Sequence, residues 1–434
     1  MSSLRSLAVA VPSWNGRHHL ATCLAALARQ RGVPLPWEVW VLDNGSTDGT
    51  AEWLRGEHPA VRLVESPRNL GFAAGVNRLV EACGADGVAL LNNDTRPQES
   101  WLAALADALA AAPADVAAVS GRIVDWQGER LDFGRGVVTF DGHAFQLDFR
   151  RPLGEARLPR AGDELAFACG GNMLVRREAF RAAGGFDADY FAYYEDVDLG
   201  WRLWARGLRV LAAPEAVVRH HSSATSDLLG LYHRGMLFER NAFLTAYKNY
   251  DDELWPRLLP AVLLTLTSRT QALLVGHNPG GEQLAVDPYD GGIAATGGPG
   301  GAAAEESAGI WAKIRRHGLP GATGRAVRKL GRMLAGIDRA GWWGEPRITD
   351  PRTVAQLRAV SYLLRHLDRA AEKRARNQAA RRVPDREILA RFPLYLVPTY
   401  PGDEALFASP GFRRWLPEDV PLVEATLGEL MDLG

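Results

Sequence analysis

Short apolar runs alternate with amphipathic segments along the first half of the chain. Four runs rich in β-branched residues predict strands, and a segment long enough for a helix separates each from the next. The predicted strands read LAVAVPS from Leu7, WEVWVLDN from Trp37, VRLVES from Val61 and GVALLNND from Gly87. This alternation predicts an α/β fold, a Rossmann-like, mostly parallel sheet with helices on both faces. Ligands of such a sheet bind at the carboxyl ends of its strands.

Beyond His220 the pattern becomes helical. Apolar residues recur at helical spacing from Leu228 to Leu274, and a Gly/Ala/Pro-rich stretch without periodicity follows. Helices are predicted again over 310–337 and 353–382, before a C-terminal tail that is mostly coil. We therefore expect four segments: the α/β domain over 1–225, a helical extension over 226–275, a flexible linker over 276–309 and a basic, mainly helical C-terminal module over 310–434.

Composition narrows the class of protein. The chain has 434 residues, 47% of them hydrophobic, and a formal net charge of -1, which is typical of a globular protein. Its three cysteines form no CxxC pair, which favours a reducing compartment and argues against a structural zinc site. The N-terminal apolar run is too short for a signal peptide, and the ten-residue run Leu258–Thr267 is too short to span a bilayer. We expect a cytoplasmic protein.

Positive charge is concentrated towards the C-terminus. Residues Trp311–Arg382 contain 18 Lys+Arg and 5 Asp+Glu, an excess of 13 positive charges. Such an excess forms a solvated helix surface, pairs with an acidic part of the same chain or a second copy, or binds an anionic surface such as a membrane. The sequence leaves these alternatives open.

Polar clusters follow two of the predicted strands. The carboxylate of NND, at Asn92–Asp94, suits a hard divalent cation that also takes phosphate oxygens, although the same residues favour turns. Asp43 and Asn44 can bind a nucleobase edge or simply begin a capped turn before the next helix. NLGFAAGVN places Gly71 and Gly75 at a helix start, where backbone can approach a diphosphate or pack on the sheet.

A third cluster, YFAYYEDVDLGWRLWARG, places three carboxylates directly behind aromatic side chains. Desolvation makes each charge of Glu195, Asp196 and Asp198 costly in such surroundings. One interpretation is a helix start that is stabilised by an i,i+4 pair between Asp198 and Arg202. The other is a site to which a positive or protic group is brought.

Taken in this order, the motifs resemble those of inverting glycosyltransferases of family 2, which have the GT-A fold. The resemblance covers Leu7 to Thr225 and rests on VAVPSWNG, VLDNGSTDGT, NLGFAAGVN, LLNNDTRP, CGGNMLVRREAFRAAGGFD, YYEDVDLGWRLWARG and HHSSAT. It is most similar in style to bacterial rhamnosyl- and galactofuranosyltransferases of cell-surface polysaccharides. It implies a hexosyl- or deoxyhexosyltransferase that moves a sugar, with inversion, from a UDP- or dTDP-linked donor to an acceptor hydroxyl.

The resemblance also implies roles for individual residues. Asp196 is the expected general base, with Glu195 and Arg202 in the same catalytic group. Asp94 and His220 are the expected ligands of Mn²⁺ or Mg²⁺, and His221 is the alternative imidazole. Asn92 stands where many members have the first Asp of the metal motif. The residues expected to bind the nucleotide sugar are Pro12, Ser13, Asn15, Asp43, Asn44, Asn69, Gly71, Gly75, Asn77, Asn92, Asn93 and Gly171.

The chemistry of inversion explains the carboxylates beside the aromatic cluster. An acceptor hydroxyl is a weak nucleophile, so a carboxylate must remove its proton as it attacks, while a metal ion neutralises the leaving diphosphate. The rings of Tyr190, Phe191, Tyr193 and Tyr194 are expected to stack on sugars and to limit access of water. Cys169 is expected to be a small buried residue, because inverting transfer has no covalent step.

Three other functions fit the sequence less well. A nucleotidyltransferase needs a Gly-rich signature with Lys or Arg after the first strand, which PSWNGRHHL fits poorly. A glycoside hydrolase needs two facing carboxylates, and Glu195 and Asp196 are adjacent in sequence. A non-catalytic sugar-binding protein is expected to lack Asp94 or Asp196. The expected partners are a nucleotide sugar, a glycan or lipid-linked acceptor and, through the basic helices over 310–382, the anionic inner face of the cell membrane. No nucleic acid is expected.

Overall fold

The computed structural model describes residues 4–221, 231–285 and 347–432. The strands of the main sheet are β1 (Leu7–Ser13), β2 (Trp37–Asp43), β3 (Arg62–Glu65), β4 (Gly87–Leu91), β5 (Thr95–Pro97), β6 (Val116–Asp125), β7 (Leu131–Phe133), β10 (Asn172–Arg176) and β11 (Arg209–His220). A hairpin outside this sheet contains β8 (Gly136–Val138) and β9 (Ala144–Gln146). The nine-stranded sheet has the order β3-β2-β1-β4-β10-β6-β11-β5, and β7 pairs with β6.

The strand register brings the polar residues of the sequence motifs to one edge. β1 pairs in parallel with β2 and β4, and Ser13 is opposite Asp43 in this register. β10 runs antiparallel to β4, and its first residue, Asn172, is opposite Leu91 at the end of β4. The residues that follow β1, β2 and β4 therefore meet the CGGN segment at the same edge of the sheet, where ligands of such sheets bind.

Helices cover both faces of the sheet. Alternate residues of β1 belong to two separate hydrophobic cores, because successive side chains of a strand point to opposite faces. The first core includes side chains from α1 (Arg17–Leu27), α2 (Thr50–Glu57) and α4 (Trp101–Ala111). The second includes side chains from α3 (Gly71–Ala82) and α5 (Arg177–Ala182). The predicted fold class is confirmed.

The C-terminal part of the chain is mainly helical, as expected. Helix α6 (Glu195–Ala205) precedes it and packs into both cores of the main sheet. The helices described after α6 are α7 (Leu231–Asn249), α8 (Leu254–His277), α9 (Pro351–Arg365), α10 (Leu367–Ala379), α11 (Asp385–Leu389), α12 (Asp403–Ala408), α13 (Pro410–Arg413) and α14 (Leu427–Leu430). The tail is more regular than predicted, because β12 (Leu394–Leu396) pairs in parallel with β13 (Leu422–Glu424).

Helix α8 is longer than the apolar run in the sequence indicated. It has 24 residues and, by length and composition, is the one helix within the described ranges that is able to cross a membrane, but such a helix is also typical of a protein core. Leu258 and Ala261 are fully buried in the first hydrophobic core. Arg269, also on this helix, is buried and forms an ion pair with Asp403. We interpret this part of α8 as a core helix.

The chain divides into two compact units, one formed by Met1–Arg269 with Ala355–Gly434 and the other by Thr270–Val354. In the second unit, Asn278 accepts hydrogen bonds from the backbone N–H groups of Thr349 and Asp350 at 2.8 and 3.0 Å. The four-segment division of the sequence stays a prediction. The helix expected over 310–337 and most of the expected linker lie outside the described residues.

Several cations of the basic stretch pair with carboxylates of the first unit. Lys373 contacts Asp187 and Asp189, and Arg369 contacts Asp189 as well. Arg374 contacts Asp252 at 2.5 Å, and Arg381 contacts Asp385 at 2.8 Å. This part of the stretch matches the alternative in which the positive charge pairs within the chain.

Candidate active site

A cavity of about 680 Å³ opens at the carboxyl edge of the main sheet, within the range of about 300–1,000 Å³ that is usual for ligand sites. Many of the residues named from the sequence line it. They are Pro12, Ser13, Asn44, Asn69, Gly71, Asn92, Asn93, Asp94, Cys169, Gly171, Phe191, Tyr193, Tyr194, Glu195, Asp196 and His220. Their side chains come from positions far apart in sequence, and the strand register brings them together.

Asn44 organises the polar floor of the cavity. Its Oδ1 accepts a hydrogen bond from the backbone N–H of Leu70 at 2.9 Å. Its Nδ2 donates to Asn69 Oδ1 at 3.0 Å and to the carbonyl of Gly71 at 3.1 Å. These bonds hold the start of α3 against the end of β2. Nearby, Asn93 Nδ2 donates to Ser13 Oγ at 2.9 Å and ties β1 to the end of β4.

Four of the residues expected to bind the nucleotide sugar do not line the cavity. Asn15 and Asp43 accept hydrogen bonds from backbone N–H groups of the turn after β2, at 2.8 and 3.1 Å. Asn77 exchanges two hydrogen bonds with the backbone of Phe186, at 2.7 and 2.8 Å. A Cβ on Gly75 would lie 2.9 Å from a methyl group of the β2 side chain beneath it. These four residues shape the backbone around the cavity.

Arg202 does not reach the cavity, unlike the other residues of the expected catalytic group. Its guanidinium is buried and forms an ion pair with Asp198 at 2.7 Å. It also donates to the carbonyls of Ala183 and Gly185. This arrangement is the i,i+4 pair of the helix-start interpretation, so Arg202 stabilises α6 and the chain around it.

The CGGN segment passes close to the cavity wall. A Cβ on Gly171 would lie 2.9 Å from Asn92 Nδ2, and one on Gly170 would lie 3.1 Å from the ring of Phe72, so glycine leaves room here. Burial raises the pKa of the Cys169 thiol well above its usual value. The raised pKa disfavours a nucleophilic thiolate, in line with the expectation, but Cys169 is only partly buried and lines the cavity, whereas a buried residue was expected.

Glu195 and Asp196 begin α6 at the cavity, and their surroundings differ. Asp196 accepts hydrogen bonds from the backbone N–H groups of Gly170 and Val197, both at 2.9 Å. Glu195 Oε2 has no hydrogen-bond partner in the described part of the chain. Burial raises the pKa of both carboxyl groups, and the charge of Asp196 raises that of Glu195 further. Asp196 is therefore the member that ionises more readily, and Glu195 is the member that retains a proton to higher pH.

The backbone directly before this pair is strained. Phe191, Tyr193 and Tyr194 have φ angles of 63°, 70° and 67°, and such left-handed conformations cost about 1–3 kcal/mol each for residues other than glycine. The rings of these three residues line the cavity. Tyr190 differs from the expectation, because it is fully buried and its hydroxyl contacts Thr245 at 2.8 Å, so it offers no surface for a sugar.

Asp94 and His220 meet at the cavity. His220 Nε2 lies 3.3 Å from Asp94 Oδ1, and its Nδ1 lies 2.7 Å from Asp132 Oδ2. Burial opposes the charge on the imidazole, but hydrogen bonds to the two carboxylates raise the pKa of His220 to about 10. The ring of His221 instead stacks on Trp126 at 3.7 Å. Of the two histidines, His220 is the one that pairs with Asp94.

The donor set of this pair fits a divalent cation. The Asp94 carboxylate suits Mn²⁺ and Mg²⁺, and the His220 imidazole would ligate such a cation only as the neutral ring, so the cation would displace the proton between the two side chains. Asp132 occupies the position of a carboxylate that orients a ligating imidazole. Within residues 4–221, 231–285 and 347–432, no group of three or more His, Cys, Asp or Glu side chains is arranged to hold a metal. A cation bound by Asp94 and His220 would therefore take its other ligands from substrate phosphate and water, as Mg²⁺ commonly does.

A second part of the cavity lining, the aromatic wall, is rich in aromatic side chains, and the sequence did not predict its origin. It combines β7, β9, the loop between β9 and β10, helix α7 and the C-terminal tail, and its residues include Phe133, Phe145, Phe149, Phe167, Phe238, Tyr400 and Met431. Aromatic walls suit the apolar faces of sugar rings. The C-terminal tail therefore forms part of the site.

A buried ionic cluster lies behind this wall. His143 lines the cavity, and its ring nitrogens lie 3.0 Å from Glu239 and 3.1 Å from Asp141. Arg269 contacts Asp141 and Asp403, both at 2.9 Å. Burial disfavours a charged imidazole, but the two carboxylates outweigh it and raise the pKa of His143 to about 9. The turn around His143 is thus tied to α7, to α8 and to the tail.

Comparisons with known proteins agree with the motifs. The family described as Glycosyl transferase family 2 matches residues 8–184. The chain is 33% identical over 237 residues to N-acetylglucosaminyl-diphospho-decaprenol L-rhamnosyltransferase of Mycobacterium tuberculosis, covering 50% of this chain and 76% of that protein. It is 33% identical over 218 residues to the succinoglycan biosynthesis protein ExoA of Rhizobium meliloti, covering 48% of this chain and 61% of that protein.

Among solved structures, the mannosyltransferase PcManGT from Pyrobaculum calidifontis, solved with GDP-Man and Mn²⁺, aligns with 84% of this chain and 88% of its own. The identity is 19% and the TM-score is 0.43, too low to carry conclusions about donor or metal. The sequence relationship to the rhamnosyltransferase is stronger, because it extends over most of that protein at 33% identity. The chain belongs to glycosyltransferase family 2 and is a glycosyltransferase.

Proposed function

We propose that the protein transfers a sugar, with inversion, from a nucleotide diphosphate sugar to an acceptor hydroxyl, with Asp196 as the general base. One observation carries the proposal. The carboxylate of Asp196 lines a cavity that is also lined by the polar strand ends and by the aromatic wall. Two backbone N–H groups favour its ionised form. We assign the donor to the strand ends and the acceptor to the aromatic wall, both in the cavity that holds this base.

The reaction balances with these groups. The acceptor oxygen forms a bond to the anomeric carbon while the bond from that carbon to the diphosphate oxygen breaks. Asp196 takes the proton of the acceptor hydroxyl, and the electron pair of the broken bond leaves with the diphosphate. Glu195, protonated beside it, adds no second negative charge and is able to donate a hydrogen bond to a sugar oxygen.

The polar floor is the proposed donor site. Asn44 and Asn69 fix the backbone at the start of α3, where the positive end of the helix favours a diphosphate. Asp94 and His220 would hold a divalent cation, Mn²⁺ or Mg²⁺. When bound, this cation supplies Lewis-acid stabilisation of the charge on the diphosphate.

The relatives suggest the biological setting. Their names describe a rhamnosyltransferase that acts on a decaprenol-linked sugar and a protein of succinoglycan biosynthesis. On this basis we propose that the chain acts in cell-surface glycan synthesis, with a UDP- or dTDP-linked hexose or deoxyhexose as donor. A glycan or lipid-linked sugar is the proposed acceptor, and its hydroxyl meets Asp196 at the aromatic wall.

A lipid-linked acceptor would be met in the cytoplasm at the inner face of the membrane. We propose peripheral contact there, supported by the positive charge over Trp311–Arg382 other than Arg369, Lys373, Arg374 and Arg381, which pair within the chain. Each cation near an anionic surface contributes about 1 kcal/mol. Co-sedimentation of the full chain with phosphatidylglycerol vesicles is the test. Binding at low salt that is lost at high salt supports the contact. The absence of binding at low salt contradicts it.

A thermal-shift screen of nucleotide sugars, with and without Mn²⁺, tests the proposed donor site. We expect one UDP- or dTDP-sugar to raise the melting temperature, more strongly with Mn²⁺, since a ligand that binds only the folded state stabilises it. Asp94→Ala should remove the effect of Mn²⁺, and His220→Ala should weaken it. His221→Ala is the matched control and should leave it intact. If no nucleotide sugar stabilises the wild-type protein, the proposal fails.

A further inference from the structure

Helix α7 carries a row of buried polar side chains that face the catalytic loop, the segment 187–194 before Glu195. The residues of this row are Arg240, Asn241, Thr245, Lys248 and Asn249, and each is at most 6% exposed. Their spacing places them on one side of the helix. Buried polar groups are costly unless each is bonded, so their partners indicate what the row does.

Asn241 bonds to the strained part of the loop. Its Nδ2 donates to the carbonyls of Tyr190, Ala192 and Tyr193 at 3.0, 2.9 and 2.8 Å. The two N–H hydrogens of one amide are therefore shared among three carbonyls within four residues of chain. The guanidinium of Arg240 donates to the carbonyl of Tyr190 as well, at 2.8 Å.

The rest of the row holds the two ends of the same loop. Lys248 pairs with Asp187 at its start and with Asp198, in the first turn of α6, at 3.0 Å. Asn249 Nδ2 donates to Asp198 at 2.9 Å. The loop and the first turn of α6 are thus bound to one rigid helix from both sides of Asp196.

Left-handed backbone at three residues other than glycine persists only where the surroundings hold it in place. The bonds from Asn241 act on the carbonyls of this stretch, and Tyr194 leads directly into Glu195 and Asp196. Without the hydrogen bonds from Asn241, this stretch is free to relax towards ordinary backbone angles. Such a relaxation moves the start of α6. A displacement of about 1 Å in a catalytic group is enough to lower a rate about 10²-fold.

We propose that Asn241 is a positioning residue: its side-chain amide holds the strained loop in the conformation that places Asp196 in the cavity. The catalytic consequence rests on the proposed function of Asp196. The structural consequence, a loop that loosens without this amide, stands independently of which reaction the site performs.

Two variants separate the hydrogen bonds from side-chain volume. Asn241→Ala removes the group, whereas Asn241→Asp keeps its shape but replaces the donating amide with a carboxylate that faces the same carbonyls. Gln30→Ala is the matched control, because the Gln30 amide also bonds to backbone groups, at 2.7 and 2.9 Å, and does not line the cavity.

The first measurement is hydrogen–deuterium exchange of the full chain without ligand, followed in peptides that cover 187–199. We expect exchange to be at least about tenfold faster in both Asn241 variants than in the wild-type protein, since the loop opens locally more often. Exchange in the Gln30→Ala variant should match the wild-type rate there. Unchanged exchange in Asn241→Ala overturns the proposal.

The second measurement is release of dTDP from dTDP-L-rhamnose, or of the nucleotide from whichever donor the thermal-shift screen selects. Both Asn241 variants should lose about 10²-fold in kcat, with a smaller change in KM for the donor, because Phe191 of the loop contacts the start of α3 while Asn44 and Asn69 hold the rest of the donor floor. A loss confined to KM, or wild-type kcat, overturns the positioning role. If the wild-type protein turns over no nucleotide sugar, the proposed function fails, and loop exchange alone decides whether Asn241 holds the loop.

Discussion

Raising the pH should destabilise the first compact unit in part through the buried imidazole of His143. His143 lies between Asp141 and Glu239, and its pKa is raised to about 9 because both carboxylates favour its charged form despite burial. An unfolded histidine titrates near pH 6.5, at about its usual pKa. The stabilisation from this charge is therefore fully present below about pH 6.5. It is lost as the pH rises through about 9.

The size of the effect follows from the same pKa. A rise from about 6.5 to about 9 corresponds to roughly 3 kcal/mol of stability. In a unit of this size, such a change lowers the melting temperature by roughly 5 °C. His143→Gln keeps a polar side chain of similar reach and removes the titrating charge, so the variant should lack this component.

The assay is thermal unfolding of the wild-type protein and of His143→Gln at a series of pH values from 6 to 10, followed by circular dichroism. We expect the wild-type protein to be the more stable of the two at pH 6, and the difference between them to shrink by roughly 3 kcal/mol at pH 10. Two curves that stay parallel across this range would refute the assignment of the charge to His143.

Two further results are expected. Burial raises the pKa of Asp196, and an unperturbed aspartate has a pKa of about 3.9. The transfer rate should therefore begin to fall, as the pH is lowered, at a pH above about 4. A fall that begins only at or below about pH 4 contradicts the buried base. Gly71 has a φ of +81°, and a Cβ there would lie 2.5 Å from the carbonyl oxygen of Phe191, so Gly71→Ala should cost about 1–3 kcal/mol of stability in a denaturant titration. Gly84→Ala, which meets nothing within 4 Å, is its control, and equal losses in the two variants would contradict the close contact.

The sequence pattern was sufficient for the main sheet and for one wall of the cavity. Strand periodicity located β1, β2, β3 and β4. Because the carboxyl ends of neighbouring parallel strands share one edge, the residues that follow them were expected to meet there. Asn44 and Asp94 do so. Local pattern and parallel topology together determine this part of the site.

The aromatic wall and the row on α7 were not predicted, because they depend on contacts between distant segments. Nothing in the local pattern around His143 indicates that it meets Glu239, 96 residues further along the chain. The row on α7 left one signal in the sequence. Arg240–Asn241 and Lys248–Asn249 are two neighbouring pairs of charged and amide residues within an otherwise amphipathic helix. The catalytic role of Arg202 was implied by the family resemblance, and its spacing from Asp198 does not say whether its guanidinium points to the cavity or away from it.

The most direct test of the central claim compares Asp196→Asn with Glu195→Gln. The side chain of Asp196→Asn can still accept a hydrogen bond from the Gly170 N–H but cannot take a proton. Sugar transfer should therefore fall by about 10²–10⁴-fold, while donor affinity stays within about twofold of the wild-type value. Glu195→Gln resembles the protonated acid and should keep transfer within about tenfold of the wild-type rate. Single-turnover transfer, with donor binding measured by calorimetry, gives both quantities. Wild-type transfer by Asp196→Asn would contradict the assignment of Asp196 as the base.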